Sequence, residues 1–481
     1  MKQHLSNNYH RYILFGLFLL LVWFVKYYYP YPVITWDTDY YVHHARTGDV
    51  GIRPAGYSAF LSWVHGYSSS PNTVVWLQFI AYFLSLLSLL EVFRIVFSIH
   101  KLLYIIIGFL MLAEPTGLYF ANTIYSDLPF ATLTFFYLAT LLHYVSERKI
   151  LYLLLHALAL YCCLEIRFIS LIYPLFSVFV LLFATRSFVM KALGILLLLY
   201  TFKYSYNRNV NMNDKAFGVP IHSCFSGWTQ ANNVMYALPR INTAPKYIKD
   251  PELRELHHRF MTYTDTVSNP IIAINTEHLW NPNGPLFPLA QIANDSLWTV
   301  MNPVPRFMEM FVVAPKLEKY GLYIQREYPY EFLMGYLLPN ARTMLMPHIG
   351  EMGDYYLHTY LSDASKMYYN VQEGDIQCRK DVFRETINPV YEKWYPRRLV
   401  LFAIALVGVV YLLRRKSLNT KERVMLLIPI VFVAMFYALM IYSSWCIYRY
   451  ILPVLPVMTI ITIMIFVLAI TKRKGQGLTA S

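Results

Sequence analysis

Asp37 and Asp39 lie two positions apart, directly after an apolar run that ends in tyrosines, within Ile34-Thr-Trp-Asp-Thr-Asp-Tyr-Tyr-Val-His-His-Ala-Arg. A carboxylate at the mouth of a membrane helix meets a lipid-linked substrate where its reactive head emerges. There it can accept the proton of an attacking hydroxyl. Aromatic residues from Trp36 to Tyr41 mark the level of the membrane interface. Tyr40, His43, His44 and Thr47 have the spacing of one face of a short helix lying at that level. Structural roles compete for several of these positions. Asp39 suits the N-cap of a helix starting near Tyr40, and Ser126 with Asp127 suits a later cap followed by Pro129 in the first turn. Glu114, which precedes Pro115, suits a helix end.

The elements that must hold these residues are membrane helices. The 481 residues are 57% hydrophobic and 14% charged, with a mean hydropathy of +0.39, outside the range of soluble globular chains. A span takes roughly 20 apolar residues. Runs of that order fall near 12–29, 73–97, 102–120, 127–145, 150–166, 168–184, 188–204, 398–413, 424–442 and 450–470. About ten transmembrane helices are therefore expected. The first has no small-residue cleavage site after it and is expected to be retained. The formal charge of +13 does not point to nucleic acid, because the excess Lys and Arg sit in short connections beside apolar runs. With a cytoplasmic N-terminus every inner connection is basic: Lys2 and Arg11, Arg94 and Lys101, Arg148 and Lys149, Arg186 and Lys191, Arg414 to Arg423, and Lys472 to Lys474.

That orientation puts both termini in the cytoplasm. It divides the chain into a membrane module over 1–204, an extracytoplasmic soluble domain over 205–396 and a second membrane module over 397–481. The middle segment is nearly neutral. Pro251 to Tyr263 and Pro329 to Leu345 carry helical patterns there, whereas Asn281-Pro-Asn-Gly-Pro and Asn302-Pro-Val-Pro read as turns. Asn294-Asp-Ser is a lone sequon. Cys224 and Cys378 would be a candidate disulfide pair on an oxidising side of the membrane, with free buried thiols as the alternative. The five cysteines have no zinc-like spacing, so neither metal nor cofactor is expected.

The spacing of Asp37, Tyr41 and Ala45, four residues apart each time, resembles the first extracytoplasmic loop of GT-C glycosyltransferases. These include the protein O-mannosyltransferases and the lipid A aminoarabinose transferases. Arg53-Pro-Ala-Gly-Tyr is similar to that family's Arg-Pro-Pro-x-Tyr-Pro turn, with Ala55 and Ser58 in place of prolines. Tyr125-Ser-Asp-Leu-Pro-Phe, Ile166-Arg-Phe and Tyr448-Arg-Tyr-Ile-Leu-Pro-Val-Leu-Pro continue the likeness across the membrane half, with Asp127 where relatives often have Glu. The segment 205–396 carries little of it.

The resemblance implies an all-α GT-C bundle in a bacterial cytoplasmic membrane. It also implies inverting transfer of a sugar from a polyprenyl-phosphate donor to an envelope glycolipid, polysaccharide or protein. A phosphate leaving group departs without a strong acid, so one base suffices, and Asp37 is the candidate, with Asp39 as a second carboxylate. The phosphate needs cations, and the planar fork of arginine binds two oxygens at once. Arg53, Arg167 and Arg449 are the candidates, with His43, His44 and Lys203 as lesser ones. Tyr41, Tyr57 and Asp127 are candidate substrate contacts. Arg167 also suits an ion pair with Glu165, and Arg449 an interfacial anchor. A lipid-linked glycan polymerase or ligase, and a flippase or transporter, are the alternative readings.

Overall fold

The computed structural model describes residues 2–184, 187–242, 247–266, 274–275, 277–280, 284–286, 289, 308–353, 362–372 and 377–477. The turns expected at 281 and 302 and the sequon at 294 lie wholly or mostly outside them. The protein is an all-α polytopic membrane protein, and among the described residues the only sheet-like pairs are two isolated bridges, Val33 with Thr123 and His348 with Ile447. Among the described residues the α-helices of seven or more residues are, in chain order, α1 Lys2–Tyr28, α2 Trp36–Thr47, α3 Gly56–His65, α4 Pro71–Phe97, α5 Lys101–Leu112 and α6 Pro115–Ala121. Next come α7 Asp127–Glu147, α8 Ile150–Ile166, α9 Tyr173–Ala184, α10 Phe188–Phe217, α11 Phe225–Met235 and α12 Pro251–Thr266. After these follow α13 Met308–Glu327, α14 Asp363–Tyr369, α15 Asn388–Arg414, α16 Thr420–Ser443 and α17 Leu455–Gly477.

Among the described residues, seven helices are long and apolar enough to cross a membrane, or eight if α5 and α6 count as one broken span, against the ten expected. The difference has local causes. Pro115 cannot donate a helical hydrogen bond to the turn before it, and α5 and α6 meet at 59° across Ala113 and Glu114. α8 stops after 17 residues, and the run after it opens as a 3₁₀ turn over Phe168–Ile172 before α9 begins. α10 continues unbroken past its apolar run to Phe217, and α15 starts at Asn388, ahead of its own run, and carries Pro396 inside it. No bond joins Cys224 to Cys378.

The spans share a polarity that positions the site. α1 ends just before Asp37, α7 starts at Asp127, α8 ends just before Arg167 and α16 ends shortly before Arg449. The opposite helix ends carry Arg94, Lys101, Arg148, Lys149, Arg414 and Lys421. At that end α16 begins with a capping box: Glu422 N donates to Asn419 Oδ1 and Asn419 N to Glu422 Oε2, both at 2.9 Å.

Two glycines set close approaches behind the site. A Cβ on Gly56 would lie 2.4 Å from the carbonyl oxygen of Glu165, so α3 and the loop carrying Arg53 can press against the end of α8. A Cβ on Gly227 would lie 2.0 Å from the carbonyl oxygen of Ala314, which lets α11 pack directly on α13.

The break at Glu114 does structural work that the sequence left unassigned. Its carboxylate is buried and accepts from Arg398 Nη1 at 2.6 Å and from the Tyr391 hydroxyl. Arg398 also donates to Thr459 Oγ1 at 2.7 Å and to the Leu455 carbonyl, tying the break to α15 and α17. Removing one partner strands a charge in a water-poor interior. Arg398→Met should therefore destabilise the protein by about 3–5 kcal/mol, whereas Glu114→Met with Arg398→Met should recover most of that loss. Unfolding of the purified protein in mixed micelles measures both, and a double variant as unstable as the single one would contradict the assignment.

Candidate active site

α2 starts four residues earlier than the sequence suggested. Thr35 caps it, with its backbone N–H donating to Thr38 Oγ1 at 3.0 Å, so Asp37 and Asp39 both fall in the first turn. Two helical positions span about 200° at 3.6 residues per turn, so the carboxylates face opposite ways. Asp37 lines the main cavity beside Tyr41, its neighbour one turn on. Asp39 faces α14, where its Oδ1 accepts from Ser362 Oγ at 2.7 Å and from the Ser365 hydroxyl. The structure therefore places Asp39 as the tie that docks α14 on α2, away from the cavity.

The start of α2 is fastened to the turn before α7. Val33 N donates to the Asn122 carbonyl at 2.8 Å, Ile124 N to the Val33 carbonyl at 3.1 Å, and Thr38 Oγ1 to the Ile124 carbonyl at 2.8 Å. The Tyr41 hydroxyl lies 2.6 Å from Ser126 Oγ. These bonds fix Asp37 relative to Tyr125, Ser126 and Asp127.

Three arginines from three separate segments converge on this corner. Arg53 Nη2 lies 2.6 Å from Asp37 Oδ1, its Nη1 donates to the Tyr41 hydroxyl at 3.1 Å, and its backbone N–H donates to the Tyr40 hydroxyl at 2.9 Å. Arg449 Nη1 is 3.9 Å from Asp37 Oδ2 and donates to the Tyr125 hydroxyl, while its Nη2 donates to the Tyr450 hydroxyl at 2.9 Å. Arg167 pairs with Asp127, not with its sequence neighbour Glu165, which is taken by Ser205 and Arg208 of α10. Tyr450 links two of the cations, its ring centroid 5.0 Å from the Arg167 guanidinium and 4.7 Å from that of Arg449.

Other expected site residues lie elsewhere. His43 faces Asp49 at 3.7 Å, and His44 Nδ1 bonds the Asp49 carbonyl at 3.0 Å while its ring packs on Tyr40. The shared face of Tyr40 and His44 is thus an inner support of the loop. Tyr57 is buried and donates to Gln78 Oε1 at 3.0 Å, packing edge-on behind Tyr41. Lys203 borders a different groove along α10. Sequence reasoning missed Tyr450 as a spacer, although it stands in the Tyr-Arg-Tyr motif. It also missed the polar wall formed by His222, Gln230, Asn232 and Asn233.

The cavity encloses about 960 Å³ and is lined by Asp37, Tyr41, Arg53, Asp127, Arg167 and Arg449 together with that wall. Its size suits an extended small-molecule headgroup. At the cationic corner, Arg53 Nε and Asp127 Oδ2 are buried with no hydrogen-bond partner among the described residues. Three guanidiniums against two carboxylates leave one positive charge in excess there. No group of three or more His, Cys, Asp or Glu among the described residues is arranged to hold a metal ion.

No protein-family model and no curated protein matches this chain. Among solved structures, it is similar to the oligosaccharyltransferase AglB from Archaeoglobus fulgidus, in complex with an inhibitory peptide and a dolichol-phosphate, at 12% identity and a TM-score of 0.47 over 96% of this chain and 50% of that one. It is also similar to ArnT from Cupriavidus metallidurans bound to undecaprenyl phosphate, at 13% identity and a TM-score of 0.35 over 95% of this chain and 78% of that one. The chain thus spans about half the length of the archaeal protein. At this overlap the likeness is one of outline, and the site's chemistry stands on its own residues.

Burial pushes the His222 imidazole down to about 4, so it is neutral at pH 7. Unfolding restores a value near 6.5. The folded value is depressed, so the stabilising contribution is complete above about pH 6.5 and is lost as the pH falls toward 4. His222→Phe should flatten the fall in melting temperature over that window, with His278, likewise pushed down to about 4, contributing to the slope that remains. A slope unchanged from wild type would contradict the burial. Separately, Asp39→Ala should raise amide exchange in 362–372 and leave exchange around Arg167 and Arg449 at wild-type levels.

Proposed function

We propose that this protein is a membrane glycosyltransferase that moves a sugar from a polyprenyl-phosphate donor to a hydroxyl acceptor at the outer face of a bacterial cytoplasmic membrane. The observation that carries the reading is the convergence of Arg53 and Arg449 on Asp37 and of Arg167 on Asp127 in one cavity at a shared end of the spans. The basic helix ends opposite to it support an outward-facing cavity and cytoplasmic termini.

The charges suit a lipid monophosphate. A phosphodiester donor carries one negative charge, which the single excess cation matches, and the departing phosphomonoester carries about −1.5 to −2 at pH 7. The cluster therefore attracts the leaving group more strongly than the donor, which is the differential binding that lowers a barrier. Arg53 holds Asp37 in an ion pair at 2.6 Å. A phosphate that draws Arg53 and Arg449 onto its own oxygens releases the Asp37 carboxylate to act as base.

The transfer balances with one base. The acceptor oxygen attacks the anomeric carbon from the face opposite the phosphate, and its proton passes to Asp37. The bond between the anomeric carbon and the phosphate oxygen breaks, its electron pair stays with the phosphate, and the configuration inverts. The polar wall beyond the arginines leaves room for the sugar and the acceptor.

Asp37→Asn should lower transfer by roughly 10²–10⁴-fold, as loss of a general base does, while donor affinity is retained or improves because a competitor for the arginines is gone. Arg167→Lys and Arg449→Lys should each weaken donor use by roughly 10–100-fold, since a point charge cannot replace a forked contact. The assay is transfer by purified protein in detergent, with donor binding measured in parallel. Near wild-type transfer by Asp37→Asn would remove it as base, and unchanged donor affinity in both lysine variants would remove those arginines from the phosphate site.

A further inference from the structure

The cavity has a second wall, chemically unlike the cationic corner. His222, Gln230 and Asn232 all line it, from the segment that follows α10 and runs through α11. Each carries a buried polar atom with no hydrogen-bond partner among the described residues: His222 Nδ1, Gln230 Oε1 and Asn232 Oδ1. Buried polar atoms are almost always satisfied in folded proteins, so three in one wall of one cavity point to a ligand that completes them.

The chemistry of the atoms defines that ligand. Two are carboxamide oxygens, which only accept, and the third is a neutral imidazole nitrogen that accepts or donates according to tautomer. Neighbouring groups hold three side chains of the wall in place: Asn232 Nδ2 donates to the Asn275 carbonyl at 3.1 Å, Asn233 Nδ2 donates to the Tyr442 carbonyl at 3.1 Å, and the His222 ring stacks on Tyr206 at 4.8 Å. His222 Nδ1, Gln230 Oε1 and Asn232 Oδ1 form a set of acceptors suited to a group rich in hydroxyl donors.

The wall adjoins the phosphate corner. The His222 ring meets Phe168 edge-on at 4.9 Å, and Phe168 follows Arg167 directly in the chain. A hydroxylated group bonded to a phosphate on Arg167 would therefore extend along it. We infer that His222, Gln230 and Asn232 form the subsite that recognises the hydroxyls of the transferred sugar, and so set which sugar-bearing lipid the protein accepts. This rests on the donor-phosphate reading of the arginines and adds the sugar's contacts to it.

The experiment compares two kinds of probe on the purified full-length protein in detergent. One is bare undecaprenyl phosphate, and the other is the same lipid phosphate carrying glucose, mannose or galactose. Wild type should bind at least one hexose-bearing lipid more tightly than the bare lipid. Gln230→Met, which keeps the side-chain length, and His222→Phe, which keeps the ring stacking, should each reduce that preference roughly three- to tenfold, the usual effect of one lost hydrogen bond. Affinity for bare undecaprenyl phosphate should stay within about twofold, which also reports an intact fold. Retention of the full preference by both variants would overturn the subsite, as would equal weakening of bare and sugar-bearing lipid, or a wild type with no preference for any of the three. Failure of wild type to bind bare undecaprenyl phosphate would instead overturn the donor-phosphate reading beneath it.

Discussion

The arrangement depends on a competition for arginine. Asp37 and Asp127 hold the guanidiniums of Arg53 and Arg167, and Arg449 stands 3.9 Å from Asp37. Without those carboxylates, three cations brought together at the membrane surface would repel one another. With them, the cluster keeps one positive charge in excess, enough to draw in an anion without holding it irreversibly. Tyr450 lies between two of the cations and screens them with the face of its ring.

Keeping that competition balanced places demands on the fold well away from the site. The cations arrive from the loop before α3, the end of α8 and the turn after α16, so their separations are set by how those segments pack. Gly56 lets the first segment press on the end of the second, and the bonds from Val33 and Thr38 to residues 122–124 pin α2 against the start of α7. Behind these, the buried pair of Glu114 and Arg398 joins the broken span α5–α6 to the C-terminal helices. Ion pairs inside a low-dielectric bundle are costly to form and costlier to break, so their value here is in fixing a unique arrangement.

Much of this was legible in the sequence, for identifiable reasons. Apolar runs and basic connections announce membrane helices; Arg167 and Arg449 each adjoin such a run, and Arg53 stands in the loop between the first two. The helix number was overcounted because hydropathy does not register the bend at Glu114 and Pro115 or the 3₁₀ start at Phe168. The separation of Asp37 from Asp39 was hidden because the start of α2 depends on Thr35 as its cap, and the partners of Asp39 lie more than 300 residues further on. The choice of Asp127 over Glu165 by Arg167 is likewise tertiary, decided by Arg208 taking Glu165. The wall of His222, Gln230 and Asn232 has no spacing signature, since carboxamides in a polar segment look alike until one finds which of their atoms lack partners.

The most direct test of the account is an experimental structure of the protein with undecaprenyl phosphate. The account predicts the phosphate within hydrogen-bonding distance of at least two of Arg53, Arg167 and Arg449, with the Asp37 carboxylate no longer bonded to Arg53. A phosphate seated elsewhere, such as in the groove along α10 beside Lys203, with Arg53 still on Asp37, would contradict it.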